Sequence, residues 1–283
     1  MIDCITRPTA KTRVFSVLGD PIAHSLSPVL HNTVFRALQL DAVYVALRCS
    51  ATELPGLVYG LARAGGGGNV TTPHKQLALS VAEQATAAAL RTGACNTFWA
   101  EEGILQADNT DVAGFAAAVR AVVPGLAGAR VLLLGAGGAA RAVLWACCAE
   151  GAAEVVISNR NLERAAALLP IAEECRTNVR IAEPKSLAGE RFTLVVNSTT
   201  LGLQETDPLP IDLQQLAGTN AVFDLVYGTA PTRWVSHARA LGLPAVDGRG
   251  MLIEQAAYAV ERWFGQPAPR EHMHAALSAL EAE

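Results

Sequence analysis

The sequence has few charged and few aromatic residues. Charged side chains make up 17% of the 283 residues and aromatic side chains 5%, whereas 51% of the residues are hydrophobic. Disordered chains show the opposite balance, with high charge and little apolar surface, so this composition predicts a folded protein. At about 150 residues per domain, the length predicts two domains.

Positive charge and long apolar runs are also scarce. Lys and Arg number 22 and Asp and Glu 26, which gives a formal net charge of −4. Nucleic-acid-binding domains usually carry an excess of basic residues, so no nucleic-acid partner is predicted. The longest stretch without a charged residue, from Pro21 to Phe35, falls short of the roughly 20 apolar residues of a transmembrane helix. No membrane association is predicted.

The six cysteines include no Cys-x-x-Cys pair and no spacing typical of a metal site. No metal is therefore predicted, and the cysteines are interpreted as free or buried thiols of a reducing compartment. The segment from Met1 to Arg7 is charged early and lacks the apolar core of a secretory signal. These features predict a cytoplasmic protein.

Short apolar runs alternate with longer segments rich in alanine and leucine. Three strand–helix pairs, the last with a helix at 76–90, precede a hairpin at 94–107, and a second series of strands starts at Val131. The alternation predicts an α/β protein with two doubly wound parallel sheets and a domain boundary near Asp111. Helical periods at 251–264 and 271–280 could cap the second domain or return to the first.

A glycine-rich turn, Gly135-Ala-Gly-Gly-Ala-Ala140, follows a predicted strand and opens an alanine-rich helix. This is the context of a dinucleotide-binding fingerprint, in which Gly135 permits the tight turn and Gly137 lets the backbone approach a pyrophosphate. The free N–H groups at the helix start favour a phosphate. The alternative is a turn of small residues that binds nothing.

The strand predicted at 155–158 is followed by Asn159 and Arg160. NAD-selective sites usually present an acidic residue in this region to the ribose hydroxyls. Arg160 is suited instead to a 2′-phosphate, and Arg164 lies one helical turn further on. The sequence therefore favours NADP over NAD, the alternative being an ordinary solvent-exposed arginine.

The first half carries several polar candidates at predicted strand ends. Ser27 is suited to be a helix N-cap before Pro28, and with Ser25 it could also hold a small carboxylate, although these residues alone favour capping. Lys75 follows a short strand at 69–71 and is the best acid–base candidate, unless it is simply a solvent-exposed lysine. Asn96 adds an amide, and Asp111 adds a carboxylate or a helix N-cap.

Several motifs follow one another in the order found in a known family. They are Gly19-x-Pro-Ile-x-His-Ser-x-Ser-Pro-x-x-His-Asn32, Asn69-Val-Thr-x-Pro-His-Lys75, Gly93-Ala-x-Asn-Thr97, Asp108-Asn-Thr-Asp-x-x-Gly114, Gly135-Ala-Gly-Gly-Ala139, Asn159-Arg160, Asn197-x-Thr199, Asp224-Leu-Val-Tyr227 and Asp247-Gly-x-Gly-Met-Leu-x-x-Gln255. This set closely resembles the shikimate dehydrogenase family and covers nearly the whole chain.

The resemblance implies NADPH-dependent, reversible reduction of 3-dehydroshikimate to shikimate, on the route to aromatic amino acids. It implies that Lys75 and Asp111 form the catalytic pair and leaves monomer and homodimer open. The implied substrate residues are Ser25, Ser27, Thr71, Lys75, Asn96, Asp111, Tyr227 and Gln255. The implied cofactor residues are Gly135, Ala136, Gly137, Gly138, Ala139, Asn159, Arg160, Arg164, Thr199, Leu225 and Gly248.

Because Gln255 belongs to the implied substrate set, the resemblance also implies that the C-terminal helices return to the first domain. The predicted domains are a substrate-binding and catalytic domain, 1–111 completed by 248–283, and an NADP-binding Rossmann domain, 112–247. The glycine run 65–68 predicts a looser start of the strand at 69–71, and position 229 lacks the proline that many members carry. The alternatives are an NAD-preferring quinate/shikimate dehydrogenase and a non-catalytic shikimate-binding sensor paralogue.

Overall fold

A computed structural model of the chain describes residues 8–173, 175–228 and 230–280. They divide into two compact units, one made of Met1–Thr110 with Gln255–Glu283 and the other of Asp111–Glu254. The roles assigned above to the two domains, and their functional bounds, stay predictions. The residues of the secretory-signal prediction, Met1 to Arg7, and position 229 lie outside the described residues.

Strands and helices alternate along both units, as an α/β fold requires. The strands are β1 (Arg13–Gly19), β2 (Ala42–Arg48), β3 (Gly67–Val70), β4 (Gln84–Ala85), β5 (Thr97–Glu101), β6 (Ile104–Asp108), β7 (Arg130–Leu134), β8 (Glu154–Ser158), β9 (Asn178–Ile181), β10 (Arg191–Phe192), β11 (Leu194–Asn197), β12 (Gly218–Thr219), β13 (Val222–Asp224) and β14 (Ala245–Val246). The α-helices are α1 (Ser27–Ala37), α2 (Leu54–Arg63), α3 (Lys75–Val81), α4 (Ala87–Thr92), α5 (Thr110–Ala118), α6 (Gly138–Ala149), α7 (Leu162–Ala166), α8 (Arg233–Ala240), α9 (Arg249–Phe264) and α10 (Arg270–Leu280).

The first unit is built on a six-stranded sheet with the order β2-β1-β3-β5-β6-β4. β1 pairs in parallel with β2 and β3, whereas β5 and β6 form the predicted hairpin, which is antiparallel. The sheet is therefore mixed rather than wholly parallel. The C-terminal part of α9 and all of α10 belong to this unit, as predicted, and Trp263 and Phe264 of α9 pack against Phe15 of β1.

The single helix predicted at 76–90 is wrong. α3 ends at Val81, Ala82 is extended, and β4 interrupts the segment before α4 begins at Ala87. The Glu83 N–H donates to the Leu105 carbonyl (3.0 Å), and the Glu83 carboxylate accepts from the Leu105 N–H (2.7 Å). Pairing with β6 thus overrides a sequence pattern that is helical throughout.

The looser start predicted for the strand after the glycine run is also wrong. β3 is buried between β1 and β5. A Cβ on Gly66 would lie 1.9 Å from the Val14 carbonyl oxygen, and one on Gly68 would lie 2.2 Å from the Ser16 carbonyl oxygen. The glycines therefore allow a close backbone approach that any side chain would prevent.

The second unit contains a six-stranded sheet in the order β14-β13-β11-β7-β8-β9, in which every strand pair is parallel. Numbered from β7, this is the 3-2-1-4-5-6 order of a Rossmann fold. Val131 and Leu133 of β7 face one hydrophobic core and Leu132 and Leu134 the other, so the sheet is covered on both faces. This arrangement places the start of α6 beside the point where the strand order reverses, at β7.

The free edges of the two sheets are short or occupied by side chains. β4 and β14 contain two residues each, and on β9 the Arg180 guanidinium bonds to the carboxylates of Glu154 and Glu190. β2 is longer, but the Asn32 side chain accepts from the Tyr44 N–H (2.9 Å) and donates to the Tyr44 carbonyl (2.8 Å). Among the helices that the structure describes, none is long and apolar enough to cross a membrane.

Candidate active site

Polar side chains of the first unit collect at one edge of its sheet. β1, β3 and β6 end at this edge, and β5 begins there because it runs antiparallel to β3 and β6. Asn69 of β3, Asn96 and Thr97 at the start of β5, and Asp108 and Thr110 after β6 are all buried here. Buried polar groups need hydrogen-bond partners. Asn69, Asn96, Thr97 and Thr110 bond to one another, whereas the Asp108 carboxylate accepts from Thr86, Asn109 and Arg262.

Asn96, a predicted substrate residue, is held by several hydrogen bonds. Its Oδ1 accepts from the Thr110 N–H (2.8 Å) and from the Thr97 hydroxyl (2.9 Å). Its Nδ2 donates to Thr110 Oγ1 (3.0 Å) and lies 3.5 Å from Oε1 of Gln255. The structure therefore brings together two of the predicted substrate residues, Asn96 and Gln255.

Asp111 lies in the first turn of α5, directly after Thr110, and is buried. It is therefore not the helix N-cap, because α5 already includes Thr110. The preceding residues fix this helix start: the Asp108 carboxylate accepts from Arg262 (2.7 Å), and the Asn109 amide donates to Thr92 Oγ1 (2.9 Å). The backbone that carries Asp111 is thus tied to α9 and α4.

Lys75 is half-buried at the first position of α3, at the same edge of the sheet. The Lys75 carbonyl accepts from the N–H of Cys95 (2.8 Å), the residue that precedes Asn96 in the chain. The backbone of Lys75 is therefore held next to that of Asn96. The preceding His74 ring bonds to the Cys49 carbonyl through Nε2 (2.8 Å). Thr71 follows β3, and its N–H donates to the Leu18 carbonyl (2.9 Å).

Ser27 is not the N-cap of α1, contrary to the sequence prediction. It is the first helical residue, preceded by Leu26, and it is buried. The Ser25 hydroxyl instead accepts from the Ser27 N–H (3.3 Å). Capping therefore does not account for Ser27, and two hydroxyl groups stand at a helix N-terminus, which is a favourable position for a carboxylate.

The glycine turn of the second unit joins β7 to α6 with the expected geometry. Gly135 has φ +104°, and a Cβ there would lie 2.7 Å from Ser198 Oγ and 3.0 Å from Thr199 Cγ2. Gly137 is exposed, and a Cβ on it would meet no atom within 4 Å. Ala136 and Ala139 flank this open position, while Ala140 is fully buried against the sheet. The turn therefore leaves space beside the N-terminus of a 12-residue helix, Gly138–Ala149.

Thr199, which lies against Gly135, is fixed by a buried polar pair. The Thr199 hydroxyl and N–H both donate to Asn197 Oδ1 (2.6 and 3.0 Å), and Asn197 Nδ2 donates to the Asp224 carboxylate (2.8 Å). The Thr232 hydroxyl also donates to Asp224 (2.7 Å). Burial raises the pKa of Asp224 to about 6, although these hydrogen bonds favour its ionised form.

Three predicted residues meet where β13 and β14 end. Gly248 is buried, and a Cβ on it would lie 2.2 Å from the Leu225 carbonyl oxygen and 3.2 Å from the Tyr227 ring. Only glycine allows this approach. Tyr227 is half-buried, and burial of its hydroxyl raises its pKa.

Arg160 and Arg164 are exposed just beyond β8, the strand next to β7. Asn161 lies between them as the N-cap of α7, because its Oδ1 accepts from the Arg164 N–H (2.9 Å). Asn159 Nδ2 donates to the Asn161 carbonyl (2.7 Å), which closes the turn. Within the described ranges, neither guanidinium forms an ion pair with a carboxylate, so both are suited to an external anion.

The residues that hold the predicted ones in place belong to the motifs quoted above, but the sequence assigned no role to them. Asn69 and Thr97 support Asn96, while Asn197 and Asp224 support Thr199. The sequence does distinguish these four residues, because each is polar and lies within or next to a strand that is otherwise mainly apolar or rich in glycine. α8, whose N-cap is Thr232, was not predicted either.

A Rossmann sheet with a phosphate-type turn, joined to a separate α/β unit with polar groups at one sheet edge, defines a dinucleotide-dependent two-domain oxidoreductase. Sequence comparison identifies the family. Residues 17–98 match the shikimate dehydrogenase substrate binding domain, residues 117–200 match shikimate / quinate 5-dehydrogenase, and residues 248–277 match the shikimate 5′-dehydrogenase C-terminal domain. The chain belongs to the shikimate dehydrogenase family.

Individual relatives agree with this assignment. The shikimate dehydrogenase (NADP(+)) of Maricaulis maris is 42% identical over 264 residues, which cover 93% of this chain and 94% of that protein. The crystal structure of Thermus thermophilus shikimate 5-dehydrogenase in complex with NADP(H) and shikimate is 34% identical, with a TM-score of 0.83 and 94% and 99% of the two chains covered. The Listeria monocytogenes enzyme in complex with shikimate and NAD is 28% identical, with a TM-score of 0.85 and coverage of 96% and 98%.

Proposed function

We propose that the protein is an NADP-dependent shikimate dehydrogenase, which reversibly reduces 3-dehydroshikimate to shikimate. The observation that carries the proposal is the 42% identity, over nearly the whole chain, to a relative named as an NADP(+) enzyme. The polar edge of the first unit and the phosphate-type turn of the second supply the chemistry that such an enzyme needs. The product, shikimate, lies on the route to aromatic amino acids.

The residues of the second unit fit a dinucleotide. We assign the pyrophosphate to the turn Gly135–Ala139, where Gly137 leaves open space at a helix N-terminus. The 2′-phosphate is assigned to Arg160 and Arg164, with Asn159 shaping their turn. The remaining cofactor contacts are assigned to Thr199, Leu225 and Gly248. NADPH, when bound, supplies the hydride.

Reduction of a ketone adds a hydride to the carbonyl carbon and a proton to its oxygen. We assign the proton to the Lys75 ammonium, because a donor is needed where negative charge develops on oxygen. In the reverse direction the neutral amine accepts the hydroxyl proton. Asp111 is assigned to hold a neighbouring substrate hydroxyl and to orient the lysine, so that the two side chains form the catalytic pair.

The remaining polar residues are assigned to the substrate. Ser25 and Ser27, at the start of α1, suit its carboxylate because hydroxyls and a helix N-terminus both favour an anion. Thr71, Asn96 and Gln255 suit its ring hydroxyls. Tyr227 is assigned to the substrate as well. Together these groups distinguish a polyhydroxylated carboxylic acid from an apolar ketone.

One spectrophotometric assay tests the proposal against its two alternatives. Purified protein is mixed with shikimate or quinate and with NADP or NAD, and absorbance is followed at 340 nm. The proposal requires the highest kcat/KM with shikimate and NADP. Preference for NAD would favour a quinate/shikimate dehydrogenase, and no absorbance change in any mixture would favour a non-catalytic sensor.

We also propose a cytoplasmic location, because the described cysteines are all free thiols: Cys49, Cys95, Cys147, Cys148 and Cys175. We further propose that the partners are small molecules rather than nucleic acid, because the formal net charge is −4. Cell fractionation tests the location. Light scattering on the purified protein distinguishes the monomer from the homodimer.

A further inference from the structure

The amide of Asn96 can have only one orientation. A backbone N–H always donates, so the atom that receives the Thr110 N–H at 2.8 Å must be the amide oxygen of Asn96. The amide nitrogen then faces the opposite way, toward Thr110 Oγ1 and Gln255 Oε1. Asn96 therefore presents a hydrogen-bond donor on the side where Gln255 lies.

The amide of Asn69 is fixed by the same logic. A backbone carbonyl always accepts, so the atom 3.1 Å from the Asn96 carbonyl must be Asn69 Nδ2. Asn69 Oδ1 then accepts from the Tyr44 hydroxyl at 2.7 Å. The same Nδ2 donates to Thr97 Oγ1 at 2.9 Å.

The Thr97 hydroxyl connects these two amides. It accepts from Asn69 and therefore has its single hydrogen available for Asn96 Oδ1, 2.9 Å away. Thr97 is completely buried, whereas Asn96 keeps 2% of its surface exposed, so Asn96 rather than Thr97 is the residue assigned to the substrate. Loss of this hydroxyl would leave one hydrogen of the buried Asn69 amide without an acceptor. Asn96 Oδ1 would keep the Thr110 N–H and the nearby Thr110 hydroxyl, but it would lose the Thr97 bond that helps to fix its side chain.

We propose that Thr97 is a positioning residue for shikimate binding, which acts together with the Thr110 N–H by restraining the Asn96 amide whose nitrogen faces Gln255. The inference rests on the proposed function, because it concerns the affinity of that site for a hydroxylated ring. Serine at this position keeps the hydroxyl, whereas valine keeps the shape and loses it, so the two variants separate hydrogen bonding from packing.

The test compares KM and kcat of purified Thr97→Val, Thr97→Ser and wild type with shikimate and NADP. Thr97→Val should raise the KM for shikimate roughly tenfold, as expected for one buried hydrogen bond, with kcat within about threefold and the KM for NADP unchanged. Thr97→Ser should restore the wild-type KM to within about twofold. Ser16→Ala is the matched control, since within the described residues the buried Ser16 hydroxyl has no hydrogen-bond partner, and its KM should equal that of wild type.

A wild-type KM in Thr97→Val, or an equal rise in Thr97→Ser, would overturn the inference while leaving the proposed function intact. Wild-type protein without NADP-dependent oxidation of shikimate would instead overturn the proposed function, and this inference with it. If circular dichroism shows that Thr97→Val does not fold, Tyr44→Phe decides. That variant removes only the hydroxyl that donates to Asn69, so a KM for shikimate raised about threefold supports the inference and an unchanged KM overturns it.

Discussion

At the scale of single residues, the proposed chemistry depends most directly on Lys75. Lys75→Ala removes the assigned proton donor and leaves the other substrate residues in place. We expect kcat to fall by about 10²–10⁴-fold, with little change in shikimate affinity. Stopped-flow absorbance at 340 nm and calorimetric titration with shikimate measure the two quantities. The control is Lys185→Ala, which replaces an exposed lysine of the second unit and should leave kcat at the wild-type value. A near-normal kcat in Lys75→Ala would remove Lys75 from the mechanism.

Arg160 is expected to decide the choice of cofactor. Arg160→Gln removes a charge-assisted contact to the 2′-phosphate, so the KM for NADP should rise about 10- to 100-fold. The KM for NAD should change little, because NAD has no such phosphate. Steady-state assays with both cofactors test this, with exposed Arg36→Gln as the control. An equal effect on NADP and NAD would contradict the assignment.

At the scale of elements, two glycines of the turn between β7 and α6 have different roles: Gly135 is needed for folding, and Gly137 for binding the cofactor. Gly135→Ala should destabilise the second unit by about 1–3 kcal/mol, because φ is +104° and the new Cβ would meet Ser198 and Thr199. Gly137 has φ −91°, and a Cβ on it would meet no atom within 4 Å. The unfolding temperature of Gly137→Ala should therefore stay near that of wild type. Its affinity for NADP should nevertheless fall, since the methyl group would occupy space assigned to the pyrophosphate.

Thermal unfolding monitored by circular dichroism and a fluorescence titration with NADP measure the two effects for both variants. Each variant serves as the control for the other. The interpretation fails if Gly137→Ala binds NADP as tightly as wild type, or if Gly135→Ala is as stable as wild type.

The second unit was the easier of the two to predict from the sequence. Its central strands β7, β8 and β11 are mainly apolar runs, because strands covered on both faces need apolar residues at most positions. The glycine turn was equally plain, since few other structures place glycines between such a strand and a helix. α8 was missed because the sequence before it, Ala230-Pro-Thr232, is also typical of a loop.

The first unit was harder because non-local contacts override local pattern. No periodicity in 76–90 shows that Glu83 will pair with Leu105, and no motif shows that Ser25 rather than Ser27 accepts from the helix start. The glycine run 65–68 reads as a flexible segment until β1 and β5 are placed on either side of β3. The resemblance to a family named the candidate residues, but only the structure shows what holds them in place.

At the scale of the whole molecule, one buried group in each unit should respond to acid with opposite sign. His31 is completely buried against Tyr44, and burial lowers its pKa to about 3, whereas the unfolded chain titrates near 6.5. The unfolded state therefore binds more protons between these values, so stability is lost as the pH falls through this range. Asp224 has its pKa raised to about 6 from about 3.9, so the folded state binds more protons and this group adds stability as the pH falls from 6 to 4.

Urea unfolding at pH 7.5 and pH 5 tests both signs. Relative to wild type, His31→Phe should lose about 2 kcal/mol less stability on acidification, because phenylalanine cannot titrate. Asp224→Asn should lose about 1 kcal/mol more, because asparagine cannot take up the proton. Its amide nitrogen cannot accept from the Thr232 hydroxyl as the carboxylate does, so its absolute stability should also be lower. Only the change with pH is compared, so a difference in absolute stability does not affect the result. Identical pH dependence in all three proteins would contradict both pKa shifts.

The contact between Asn32 and Tyr44 has a consequence for how copies of the chain meet. An unprotected edge strand can add a strand from another chain, which is a common start of aggregation. The Asn32 amide imitates that missing strand, using both the N–H and the carbonyl of Tyr44. Asn32→Ala should therefore open the edge of β2 and promote concentration-dependent association, visible by light scattering. Asn178→Ala, on the edge strand β9, is the control, because the ion pairs of Arg180 remain and should keep that edge closed.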